Sequence, residues 1–131
     1  MAKCLVGAAG AGAKGAIATV WENPFPNDSF EAQDVVVDLS EYTHALVYAQ
    51  TRAGSFATTY CLVKIGTNGA LNTFYSSEAS QLNFYDRFFT TNQSKVTFRD
   101  AYIWTLKSSG GAGAKSNVQL IPQKICGVNL P

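Results

Sequence analysis

The chain has a single histidine, His44, among its 131 residues, and only three cysteines, Cys4, Cys61 and Cys126, with no CxxC pair. A zinc centre built from imidazole and thiolate therefore has no local nucleus, and no metal or other cofactor is expected. A Ser-His-Asp arrangement would have to use His44, which opens an apolar run beside a turn and reads as a structural residue. An odd cysteine count fits poorly with a disulfide-stapled secreted module, and Cys61, inside Thr59-Tyr60-Cys61-Leu62-Val63, reads as a small, reduced core residue. Charge is scarce as well. Charged residues make up 15% of the chain, and 10 Lys+Arg against 9 Asp+Glu leave a net charge of +1. Such a chain has no field to attract nucleic acid or an anionic membrane. No apolar run approaches the ~18 residues of a membrane span, and no stretch repeats apolar residues at helical spacing. The apolar part of the amino terminus fades into Gly and Ala and is broken by Lys14, so no signal peptide is expected.

What the chain does have is β-forming material. Val (10), Thr (11) and the aromatics (Tyr 6, Phe 8, Trp 2) suit a pleated, half-buried surface. Short apolar runs alternate with turn residues. The pattern predicts strands over 16–22, 33–39, 44–52, 57–65, 70–76, 82–90, 95–99, 101–107 and 117–128. The prolines of Asn23-Pro24-Phe25-Pro26 end the first strand, and Gly66-Thr67-Asn68-Gly69 makes a strong turn. Residues 76–80 read as a loop or short helix, and Ser108 to Ser116 as a Gly/Ala/Ser loop. Eight or nine short strands without intervening helices predict an all-β fold, an antiparallel β-sandwich or jelly roll. A 131-residue chain holds one such domain, here 17–131, preceded by a flexible Gly/Ala-rich arm over 1–16.

The Gly-Ala segments Gly10 to Lys14 and Gly111 to Lys115 do not make a phosphate loop, because Ala13 and Ala114 stand where a Walker loop needs Gly before its Lys. The nine carboxylates are scattered, with no spacing that selects a catalytic pair. No catalytic residue is assigned, and the chain reads as non-enzymatic. The best candidate for recognition lies in Leu82-Asn83-Phe84-Tyr85-Asp86-Arg87-Phe88-Phe89. A strand there places Asn83, Tyr85 and Arg87 on one face. If Leu82, Phe84 and Phe88 are the buried side, that polar-aromatic face meets a sugar or a partner chain; a plain solvated sheet surface is the competing reading. Trp21 and Trp104 are expected in the core.

Val20-Trp21-Glu22-Asn23-Pro24, followed by Phe30, Gln33, Val35-Val36-Val37, Asp38-Leu39-Ser40 and Tyr42, resembles small proteins and fibre domains encoded by phages and prophages of gut bacteria. In that group a W-x-N-P-x-P opening leads to a V-x-L-x-L-S-x-Y strand and turn. Val96-Thr97-Phe98-Arg99-Asp100-Ala101-Tyr102 and Ile121-Pro122-Gln123-Lys124-Ile125-Cys126-Gly127 extend the likeness over residues 18 to 128, with Cys126 standing where the group has an aromatic residue. The resemblance implies a virion structural part (tail, baseplate, head fibre or capsid-associated) synthesised in the host bacterial cytoplasm. It also implies a homo-oligomer, trimer ahead of dimer, with other virion proteins and a host-surface glycan as partners. A free-standing carbohydrate-binding module, which uses the same architecture, is the alternative.

Overall fold

A computed structural model describes residues 16–78, 80–107 and 110–131 of the chain. Among these residues are nine strands and no helix: β1 (Ile17–Glu22), β2 (Gln33–Val36), β3 (His44–Arg52), β4 (Thr58–Lys64), β5 (Asn68–Glu78), β6 (Gln81–Thr91), β7 (Lys95–Lys107), β8 (Gly110–Lys115) and β9 (Gln119–Val128). They form two sheets, ordered β1-β9-β3-β4 (sheet A) and β2-β7-β6-β5 (sheet B), with β8 pairing the same edge of β7 beyond β2. Every pairing is antiparallel. The chain crosses between sheets before and after β2, returns to sheet B as the β5-β6-β7 meander, and closes with β9 between β1 and β3. The result is the expected all-β sandwich. Of the arm expected over 1–16, residues 1–15 lie outside the described residues.

The core follows the strand period of two. Ala45, Val47 and Ala49 of β3 point inward and meet Leu71, Phe89, Val96, Phe98, Ile121 and Ile125. Trp21, Phe30, Phe98 and Phe89 run through the interior as a chain of tilted and edge-on rings, with centroids 6.3, 5.3 and 5.7 Å apart. Trp21 is thus at the core as expected.

Four expectations need correction. Residues 76–78 continue β5 rather than forming a loop or helix. The two strands expected over 95–107 are one, interrupted by a bulge: Arg87 pairs Ala101 and Phe89 pairs Phe98, so Arg99 and Asp100 both lie opposite Phe88. Gly110 to Lys115 is a strand, not a loop. Its glycines serve close approach, since a Cβ on Gly113 would stand 2.4 Å from the Trp104 ring and one on Gly111 3.0 Å from Leu106. Finally, the odd cysteine count does not keep the chain free of disulfides. Cys126 is fully buried and disulfide-bonded, while Cys61 is a free thiol packed against the core.

Candidate functional site

Asn83, Tyr85 and Arg87 do share a face of β6, but that face points inward. Arg87 is 0% exposed, Tyr85 packs against the core, and half-buried Asn83 accepts hydrogen bonds from Thr105 Oγ1 (3.0 Å) and Gln81 Nε2 (3.2 Å). The expected recognition surface is therefore overturned. The adjacent phenylalanines explain it. Phe88 and Phe89 cannot both face the core from one strand, and Phe89, matched to Phe98 across β7, takes the interior. Arg87 and Tyr85 share its parity and go inside with it, while Leu82, Phe84 and Phe88 turn outward.

Arg87 then becomes a buried clamp. Its Nε donates to Leu120 O (2.9 Å), Nη1 to Arg99 O (2.7 Å) and Nη2 to Gln119 O (3.2 Å), and its guanidinium carbon lies 5.3 Å from the Phe30 ring centroid. It thus holds the carbonyl of a β7 bulge residue and the carbonyls that open β9, where Leu120 adopts φ 49°. Burial draws the Arg87 pKa down to about 10, with Asp100 and Glu31 pulling it back up, so the group stays cationic at neutral pH. Asn117 links these carboxylates to the clamp: its amide nitrogen donates to Glu31 Oε2 (2.6 Å) and Asp100 Oδ1 (2.8 Å), and its oxygen accepts from Ala101 N (2.8 Å). Arg87, Asn117 and Asp100 each hold backbone groups, which is a structural role.

The network carries a pH signature. The Asn117 amide, and after it the Ala32 N–H, hold the Asp100 carboxyl below its ordinary 3.8. Thr97 and Lys95 do the same for Asp34, and Ser40 for Asp38. A carboxylate depressed in the fold contributes stability that is complete above its unfolded value and is lost as pH falls through the folded one. Thermal melting should therefore hold steady down to about pH 5 and decline below about pH 4. Asp100→Asn should start lower at neutral pH and decline less steeply on acidification. An identical acid limb in the variant would show that Asp100 does not contribute to it.

The outward face of sheet B is unusual for a sandwich, whose solvent side ordinarily alternates to polar residues. Phe74 of β5, Leu82, Phe84 and Phe88 of β6, and Tyr102, Trp104 and Leu106 of β7 all lie on it. All but half-buried Phe84 are exposed, Trp104 by 42% and Phe74 by 67%. Register builds them into rows: Phe74 opposite Phe84, opposite Trp104, opposite Gly113; and Leu82 opposite Leu106, opposite Gly111. The Phe74 and Phe84 rings lie 5.1 Å apart, and Tyr102 and Trp104 stack at 6.1 Å with 28° between their planes. Buried among them, Asp86 accepts a hydrogen bond from Trp104 Nε1 (2.9 Å), which fixes the indole over Gly113 of β8. Trp104 was expected in the core and stands instead at the centre of this face. One signal was present in the sequence: Tyr102-Ile103-Trp104-Thr105-Leu106 is apolar at four of its five positions, on both parities, the pattern of a strand covered on both sides.

His44 shares a hydrogen bond with the Thr43 hydroxyl, Nδ1 to Oγ1 2.8 Å, at the start of β3. Among the described residues no three His, Cys, Asp or Glu side chains converge as metal ligands. No protein-family model, curated protein or solved structure matches this chain.

Proposed function

We propose that the chain is a non-enzymatic structural component of a phage virion that assembles as a homo-oligomer, trimer ahead of dimer, through the outer face of sheet B. The observation that carries the assembly is that face: seven apolar side chains in register where a solvated sheet would carry polar ones. Asp86, the carboxylate buried within it, is already engaged by Trp104, and a net charge of +1 sets up little repulsion between copies. A second copy presents the same chemistry and fits without burying an unpaired charge. The virion setting comes from the resemblance of the Trp21–Tyr42 and Ile121–Gly127 segments. Contact with other virion proteins and with the host surface belongs to the same reading.

Light scattering coupled to size exclusion tests the assembly. The expected mass is a multiple of 14.0 kDa. Phe88→Glu with Leu106→Glu should weaken the association roughly 100-fold while leaving thermal melting of the monomer intact, because two charges placed in an apolar contact each cost about what a hot-spot residue contributes. A wild-type monomer at every concentration sinks the assembly claim. Mass spectrometry of purified phage particles tests the setting: absence of the chain from particles rejects it. A monomer that binds sugar and is absent from particles would favour the free-standing carbohydrate-binding module.

A further inference from the structure

A cleft of about 580 Å³, within the range of small-molecule sites, opens on sheet A rather than sheet B. Four strands build it. The register sets Glu22 of β1 opposite Lys124 of β9, and Lys124 opposite Tyr48 of β3; Gln50, two residues further along β3, faces Thr58 of β4. Phe56, in the β3–β4 connection, stands at the rim fully exposed. Gln50 Oε1 is buried without a hydrogen-bond partner. Among the described residues it is the one side-chain acceptor so placed, and burying it forfeits the bond it has in water.

These features specify a ligand chemistry. An orphaned amide oxygen calls for an O–H or N–H donor. Glu22 and Lys124 face one another at 3.9 Å, an acceptor and a donor side by side, and they leave the lining with no net charge. Phe56 and Tyr48 add aromatic surface for an apolar face. A hydroxyl-rich ring with a C–H face and no charge satisfies all three conditions. A carboxylate or phosphate would find only one cation, already next to an anion.

We propose that this cleft binds a neutral sugar residue of a glycan, with Gln50 accepting from one hydroxyl, Glu22 and Lys124 engaging another, and Phe56 covering the C–H face. The site lies on the sheet opposite the assembly face, so either succeeds or fails without the other.

The test is titration of the full chain with neutral tetrasaccharides of glucose, mannose and galactose, followed by amide resonances and calorimetry, with glucuronic-acid and sialic-acid oligosaccharides as charged controls. At least one neutral member should bind, the charged controls more weakly. Gln50→Leu and Phe56→Ala should each raise Kd about tenfold or more, the loss expected for one hydrogen bond or one stacking ring. Stability separates this from a structural role: Gln50→Leu removes the orphaned oxygen and should melt at or above the wild-type temperature, and Phe56→Ala should melt unchanged. Failure of every neutral tetrasaccharide to shift the resonances at millimolar concentration overturns the proposal. So does binding that both variants leave intact, or tighter binding of the charged controls.

Discussion

Arg87→Met should lower the free energy of unfolding by about 3–5 kcal/mol, a large part of the ~5–15 kcal/mol that a domain of this kind has in total. Three carbonyls, on Arg99, Gln119 and Leu120, lose the donor supplied by a side chain that is itself fully buried. Each buried acceptor left unpaired costs about 1–3 kcal/mol. Against that sum stands the desolvation of the guanidinium, which Met relieves. The balance still falls on the side of loss, because Leu120 sits at φ 49°, a conformation costing an L-residue about 1–2 kcal/mol that the carbonyl bond from Arg87 helps to hold. Arg87→Lys should be nearly as damaging: one ammonium cannot reach three carbonyls that a planar fork addresses from two sides. Urea unfolding of both variants checks this. Should Arg87→Met prove too unstable to purify, Arg87→Lys supplies the number, and a cost under about 1 kcal/mol there would reject the clamp.

The strand pattern in the sequence located most of the fold because turn chemistry and period-two runs agree over β1, β3, β4, β6 and β9. What it did not settle was parity. In Phe84-Tyr85-Asp86-Arg87-Phe88-Phe89 large apolar residues occupy both faces, so local hydrophobicity gives no reason to bury Arg87. Only the partners across the sheet decide it, through Phe98 on β7 and the carbonyls of β9. The glycines misled for a related reason. Gly66 has φ 93° and is there for its turn, but Gly69, expected in that same turn, lies in β5 where a Cβ would stand 2.4 Å from the Phe89 ring. Gly113 under Trp104 is the same case. A glycine reads in sequence as freedom, and whether it serves a turn or a close approach is settled by a residue far away in the chain. The candidate sites were legible to a similar degree. Apolar residues on both parities of Tyr102–Leu106 marked a strand covered on both sides, whereas the sheet A cleft draws on four strands and two loops, and no segment of the chain carries it alone.

Residues behind the family resemblance turn out to be packing partners. Trp21 meets Phe30, Phe30 meets Phe98, and the Tyr42 ring lies flat on Gly127 from the other end of the chain. The last contact yields a prediction. A Cβ on Gly127 would stand 2.4 to 2.7 Å from three ring carbons of Tyr42. Neither side yields cheaply, since Gly127 belongs to β9 between β1 and β3, paired to Ala18 and Ala45, and Tyr42 packs against the core with its N–H bonded to Leu39 O. Gly127→Ala should therefore cost about 2–3 kcal/mol through overpacking. The gain of about 0.4–1 kcal/mol from stiffening the unfolded chain does not offset it. Tyr42→Ala should cost a similar amount by vacating the space above the strand. The double variant separates this from two unrelated losses. With the ring gone, the new methyl has room and fills part of the void, so the combined cost should fall short of the sum by about 1–2 kcal/mol. Urea unfolding of the four proteins gives that coupling directly. Strict additivity would mean that the ring and the glycine do not constrain each other, and the reason given for Gly127 would be wrong.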